Sequence, residues 1–276
     1  MPNNEEPGAG RFVGIGLQIA RDLSAMGAAL VLACRDVTKG DAVAAELRRL
    51  GSAGVTVRHL DAASAPSIAA FATACAAEFS RVDVLVNNAG VAQADRQVTG
   101  DGYELTFATN VLGYHRLSLG MLDQLEASAP ARIVNVASTF AGDLDLDDLQ
   151  FETRPYDELQ AYAQSKACNR LLTWALARRI EGIGVSVNAM APGFVPATGL
   201  LRGLSPDLQR VYARRTGRSL KEGADTAVWL AASPDAAGIS GRFFYDRRER
   251  PCELRDRAVE ERLWNLVTPD GRPGAA

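Results

Sequence analysis

Apolar residues recur along this chain with two alternating periods. Over Gly14–Met26 they fall at Ile15, Ile19, Leu23 and Met26, which is one face of a helix. The run Ala28–Ala33 is continuously apolar, the pattern of a strand covered on both faces. Helical patterns then occupy 39–50, 64–79, 102–125, 156–180 and 224–232, and strand patterns occupy 55–60, 82–86, 133–137, 185–189 and 242–245. Long helices between short strands supply the crossovers that parallel strands need. The pattern predicts an α/β protein built on a doubly wound parallel sheet with helices on both faces. An amphipathic stretch at 257–267, with Val259, Leu263, Trp264, Leu266 and Val267 as its apolar residues, predicts a final helix.

Composition narrows the class. The chain has 276 residues, 47% hydrophobic and 23% charged, which suits one large domain over 1–276 with flexible ends at 1–8 and 270–276. A net charge of −3 without a lysine or arginine stripe argues against a nucleic-acid partner. The longest apolar run, Ala28–Cys34, is far too short for a membrane span, so no membrane partner is expected. Four separated cysteines, Cys34, Cys75, Cys168 and Cys252, fit neither a metal site nor a disulfide framework, and a reduced cytoplasmic setting is expected.

Glycines at Gly10, Gly14 and Gly16 open the first helix. Such a loop lets backbone approach a pyrophosphate at a helix N-terminus, as in Rossmann-type dinucleotide sites, although a glycine-rich turn alone is a common feature. Arg35 stands 19 residues after Gly16, at the end of the following strand, where an arginine accommodates the 2′-phosphate of NADP. Asp36 beside it leaves NAD open. Upstream, PNNEEPGA has two prolines and two glutamates where a central strand belongs, so the first strand is expected to be degraded or missing. Either the true start lies before Met1, or the sheet tolerates a defective strand.

Tyr162 and Lys166 are four apart on a predicted helix and share a face. An ammonium beside a phenol favours phenolate, which suits proton exchange with a carbonyl or alcohol oxygen. Ser138 ends the strand IVNVAS, and strand C-terminal ends are where ligands bind in open α/β sheets. Asn110 is a poor residue for the middle of a helix, and Asn87-Asn88-Ala89-Gly90 follows a strand.

Gly10-x-x-x-Gly14-x-Gly16, Asp61, Asn87-Asn88-Ala89-Gly90, Asn110, Ser138, Tyr162-x-x-x-Lys166 and Pro192-Gly193 occur in one order, each at the end of its expected element. In this the chain resembles the short-chain dehydrogenase/reductase family over about residues 8 to 267. LACRDVTKG, AYAQSKACN, EGADTAVWLAASP and the acidic insertion between Ser138 and Tyr162 resemble its retinol-dehydrogenase-like branch. The resemblance implies an NADP(H)-dependent oxidoreductase, with NAD as the other choice, acting on a small-molecule carbonyl or alcohol. Tyr162 would be the acid/base, Lys166 would lower its pKa and hold the nicotinamide ribose, Ser138 would position the substrate oxygen, and Asn110 would hold a relay water. Gly10, Gly14, Ile15 and Gly16 would face the pyrophosphate and Arg35 the adenosine phosphate. Asp61, Ala62, Asn88, Ala89 and Gly90 would flank the adenosine half, and Pro192, Gly193 and Val195, with Tyr162 and Lys166, the nicotinamide half. Residues 198–218 would form a substrate lid, and the Tyr162 helix would build a homodimer face. A non-redox isomerase, cyclase or dehydratase, or a cofactor-poor scaffold, is the alternative raised by the weak first strand. His59, His115 and the acidic run 143–148 are read as structural or solvated, with no metal.

Overall fold

The computed structural model describes residues 14–268. Gly10, the expected flexible ends and the expected degraded strand lie outside that range. The elements are α1 (Ile15–Ala25), β1 (Ala29–Cys34), α2 (Val37–Arg49), β2 (Gly54–His59), α3 (Ala65–Glu78) and β3 (Val84–Asn87). After them come α4 (Leu105–Phe107), a π-helical turn (Ala108–Leu112), α5 (Gly113–Gly120), α6 (Leu122–Ala127), β4 (Ala131–Val136), α7 (Glu158–Arg179) and β5 (Val185–Met190). The chain closes with a 3-10 turn (Leu200–Gly203), α8 (Pro206–Ala213), α9 (Leu220–Ala232), a second 3-10 turn (Pro234–Ala236), β6 (Phe243–Tyr245), β7 (Arg248–Glu249) and α10 (Arg257–Val267).

Strands β3-β4-β5-β6 are parallel neighbours, β7 adds an antiparallel edge, and β1 pairs in parallel with β2. Among the described residues the two groups share no ladder. The side chains of β3 and of the start of β1 are accordingly only half-covered, whereas those of β4 and β5 are nearly all buried.

Strand alternation sends Ala131 and Ile133 of β4 into one core with α3, α5, α7 and α10. Val134 and Val136 point into a second core with α9 and Ile19. A third core holds β1, β2 and α2 together, and Leu17 and Ala20 on α1 join it. Helix α1 bridges the β1/β2 unit and the larger sheet on one side, and Val31 and Leu60 join it to the first core on the other.

Two expectations need correction. The helix expected over 102–125 is interrupted: α4 gives way to the π turn that contains Asn110, and Met121 separates α5 from α6. The acidic run 143–148 is not all solvated. Asp148 is buried and caps the following turn, accepting from the N–H groups of Glu152 at 2.6 Å, Thr153 at 3.2 Å and Arg154 at 3.1 Å. Strand β6 matches the strand pattern at 242–245, whereas β7 and helix α8 have no counterpart in the sequence pattern, because each is too short to show a period. Asp246 and Arg247 at the β6–β7 turn both have positive φ, the backbone of a tight two-residue hairpin.

Candidate active site

Helix α7 begins where Asp157 accepts from the N–H groups of Leu159 and Gln160, at 2.9 and 2.8 Å. It is buried on most of its circumference, because the sheet lies on one side and α10 on the other. Leu171, Trp174 and Ile180 are core residues there, and His115 is a core residue whose Nε2 meets Thr268 Oγ1 at 2.5 Å. Among the described residues no cluster of side chains could hold a metal.

Lys166 is carried by this helix and is only 3% exposed. Its Nζ donates to the Val136 carbonyl at 3.0 Å, where β4 ends, and lies 5.7 Å from the Tyr162 ring centre. Burial pushes the Lys166 ammonium down to about 7. Burial also pushes the Tyr162 phenol up to about 12, although interaction with the Ser138 hydroxyl works in the opposite direction. In the free protein desolvation is the largest influence on both groups. Phe140, an exposed aromatic, stacks on Tyr162 with ring centres 6.4 Å apart. The Ser138 hydroxyl accepts from the Phe140 N–H at 3.0 Å, which fixes it at the mouth of β4.

Asn110 projects from the π turn, a local widening of the helix that often marks a functional position. Its Oδ1 accepts from Val91 N–H at 2.9 Å, and its Nδ2 donates to Val91 O and Ser165 Oγ, each at 2.9 Å. The side chain therefore clasps the β3 loop to α7. A Cβ on Gly90 would sit 3.6 Å from both Asn110 Oδ1 and Lys166 Nζ, so that loop runs directly beside the lysine. Asn110, Ser138, Tyr162 and Lys166 converge on the C-terminal end of the sheet.

The described end of the glycine loop, residues 14–16, meets the loop after β3. Gly14 has φ +115°, a backbone that favours glycine, and no side chain caps α1 behind it. No acidic residue stands in the first turn, and its N–H groups, free of side-chain caps among the described residues, suit an anion. A Cβ on Gly16 would approach Asn88 Nδ2 to 2.5 Å, so these two expected positions are in contact. Ile15 packs toward α9, where a Cβ on Gly223 would lie 3.5 Å from it. Ala62 and Gly113 touch as closely: a Cβ on Gly113 would reach the Ala62 carbonyl at 2.5 Å. Asp61 accepts from Ala63 N–H at 3.0 Å, bracing that loop.

Arg35 is exposed after β1 and has no ion pair among the described residues. Asp36 is engaged differently: its Oδ1 accepts from Lys39 N–H at 3.1 Å and its Oδ2 pairs with Lys39 Nζ at 2.6 Å. Gly193 has φ +74° beside Arg218, and Pro192 precedes it, both half-buried. The Val195 side chain is buried against Gly223 of α9, where a Cβ would lie 2.7 Å from it.

The profile of the short chain dehydrogenase family matches residues 9–209. The chain belongs to the short-chain dehydrogenase/reductase family. Among relatives, retinol dehydrogenase 13 of Homo sapiens is 39% identical over 92% of this chain and 80% of its own length. Retinol dehydrogenase 14 of Homo sapiens is 37% identical over 92% and 82%. Among solved structures, an uncharacterised protein of Mycobacterium paratuberculosis matches with a TM-score of 0.72 and 28% identity, covering 94% of this chain and 89% of its own. A metagenomic short-chain oxidoreductase solved with NADP matches with a TM-score of 0.61 and 27% identity, covering 82% and 89%. This short-chain dehydrogenase/reductase is thus an oxidoreductase resembling the retinol-dehydrogenase-like branch, and the non-redox alternative is not favoured. Among the described residues no helix is long and apolar enough to cross a membrane.

Proposed function

We propose that this oxidoreductase interconverts a small-molecule carbonyl and its alcohol with NADP(H), using Tyr162 as the proton donor and acceptor. The observation that carries the reading is the convergence of Tyr162, Lys166, Ser138 and Asn110 on one strand end beside a glycine loop that leaves no room for side chains at Gly16.

The residues fit a dinucleotide. The N-terminus of α1 offers free N–H groups to a pyrophosphate. Lys166 uses one N–H on Val136 and keeps two for ribose hydroxyls. Arg35 supports NADP over NAD, since it is unpaired among the described residues while Asp36 is committed to capping α2. When bound, the nicotinamide supplies or accepts the hydride.

In the direction of reduction, the Tyr162 hydroxyl gives its proton to the carbonyl oxygen, and the Ser138 hydroxyl holds that oxygen by a hydrogen bond. A phenol held near 12 is fully protonated at neutral pH and is ready to donate. Asn110 keeps the Gly90–Val91 loop against Lys166 and so fixes the ribose side of the cleft. Residues 198–218 serve as the lid over the substrate. Tyr212 on α8 lies near Tyr162 and 5.7 Å from Phe194, and the Ser205 N–H bonds Glu158 of α7 at 2.8 Å. This mixture of aromatic and apolar surface suits a mid-sized, partly apolar substrate.

Titration of cofactor fluorescence tests the cofactor choice. Wild type should bind NADPH more tightly than NADH, and Arg35→Ala should weaken NADPH by at least about tenfold with little effect on NADH. Equal loss for both would remove Arg35 from the 2′-phosphate, and no binding of either would end the dinucleotide reading.

A further inference from the structure

Arg170 lies one turn beyond Lys166 on α7 and two turns beyond Tyr162, on the same face. It is only 7% exposed and has no carboxylate partner among the described residues. One Nη donates to the Ser138 carbonyl oxygen. The other reaches Cys252 Sγ at 3.6 Å, and the guanidinium lies over the Phe243 ring at 3.8 Å. Its Nε has no partner among the described residues. A buried cation without a counter-charge is costly, and an aliphatic residue would suit a helix buried on most of its circumference. Among the described residues, the one backbone group that its guanidinium bonds belongs to Ser138, at the point where the chain leaves β4.

We propose that Arg170 is a positioning residue for the reaction, holding the Ser138 peptide so that the serine hydroxyl faces the Tyr162 phenol. Ser138 is then tethered at both ends. Arg170 fixes its carbonyl, and the Phe140 N–H fixes its hydroxyl. The packing of Arg170 between Phe243 and Cys252 makes the position of the catalytic serine depend on β6 and on the segment after β7. The inference rests on the carbonyl–alcohol reading for its kinetic consequence and on the structure alone for its geometric one.

The test compares wild type, Arg170→Met, Arg170→Lys, Ser138→Ala and the Arg170→Met/Ser138→Ala double variant, with NADPH and a panel of short aliphatic to aromatic aldehydes. Arg170→Met should lower kcat by about 10- to 100-fold with KM and NADPH affinity nearly unchanged, because the loss is one of alignment. Arg170→Lys, which keeps a donor, should recover most of it. In the Ser138→Ala background Arg170→Met should cost nothing further, since the group it positions is gone. Independently of turnover, amide exchange over 137–140 should accelerate in Arg170→Met, while β4 and β5 keep their protection. Unchanged exchange in that segment, or a kinetic loss that adds in full to that of Ser138→Ala, overturns the proposal. A wild type inactive on every aldehyde overturns the carbonyl reading instead, and the exchange result alone then decides on Arg170.

Discussion

At the scale of the residue, the decisive balance at the site is between charge and burial. Lys166 and Tyr162 are near each other, yet each is governed first by its own loss of water. Replacing Tyr162 by Phe removes the transferable proton and little volume. Turnover should fall by about 10²–10⁴-fold with cofactor affinity kept, as a paired kinetic and binding assay would read; retained turnover would remove Tyr162 from the proton-transfer role. Lys166 carries a stability prediction. Its folded value near 7 lies below its ordinary 10.5, so the unfolded chain binds the proton more tightly between those two values. This group therefore penalises folding most at and below pH 7, and the penalty disappears as pH rises toward 10.5. Lys166→Met should gain stability relative to wild type by more at pH 6.5 than at pH 10. A difference that does not vary with pH in denaturant unfolding would contradict the burial of the ammonium. Tyr162-x-x-x-Lys166 was visible in the sequence because helix spacing alone pairs them. Which influence sets their pKa values was not, since burial depends on what packs over α7.

At the scale of the element, the interrupted helix after β3 is the most instructive. Asparagine is disfavoured inside a helix, and Asn110 signalled an irregularity there. The sequence could not show that the answer is a π turn, because that requires knowing that Val91 and Ser165 stand ready to bond the amide. Gly113 begins the next helical segment at a close approach, where a Cβ would lie 2.5 Å from the Ala62 carbonyl oxygen. Gly113→Ala should destabilise the fold by about 1–3 kcal/mol, because the obstacle is backbone and yields poorly. Chemical denaturation that finds no change would show that the Ala62 loop moves freely. Gly203 is tighter still, since a Cβ there would lie 1.9 Å from the Ala92 carbonyl oxygen, which joins the 200–203 turn to the loop after β3.

At the scale of the whole molecule, the described sheet is in two groups, and the β1/β2 unit has a core of its own beside its packing through α1, Val31 and Leu60. Such a unit should open more readily than the β4–β5 centre. Hydrogen exchange should show lower protection in β1 and β2 than in β4 and β5, and binding of NADPH should narrow the gap if Arg35 and the α1 loop hold it. Equal protection in the free protein would mean that the two groups form one cooperative unit.

Alternating periods, glycine positions and the order of the polar motifs are local properties, so the sequence by itself determined the α/β class, most strands and helices, and the residues that meet at the site. Only the tertiary structure decided how far water is excluded from Lys166 and Tyr162, that Asp148 is a buried cap, that the Val195 side chain faces α9, and that Arg170 reaches Ser138. Each of these depends on which surfaces the fold brings together across long stretches of chain, and no short-range spacing records that.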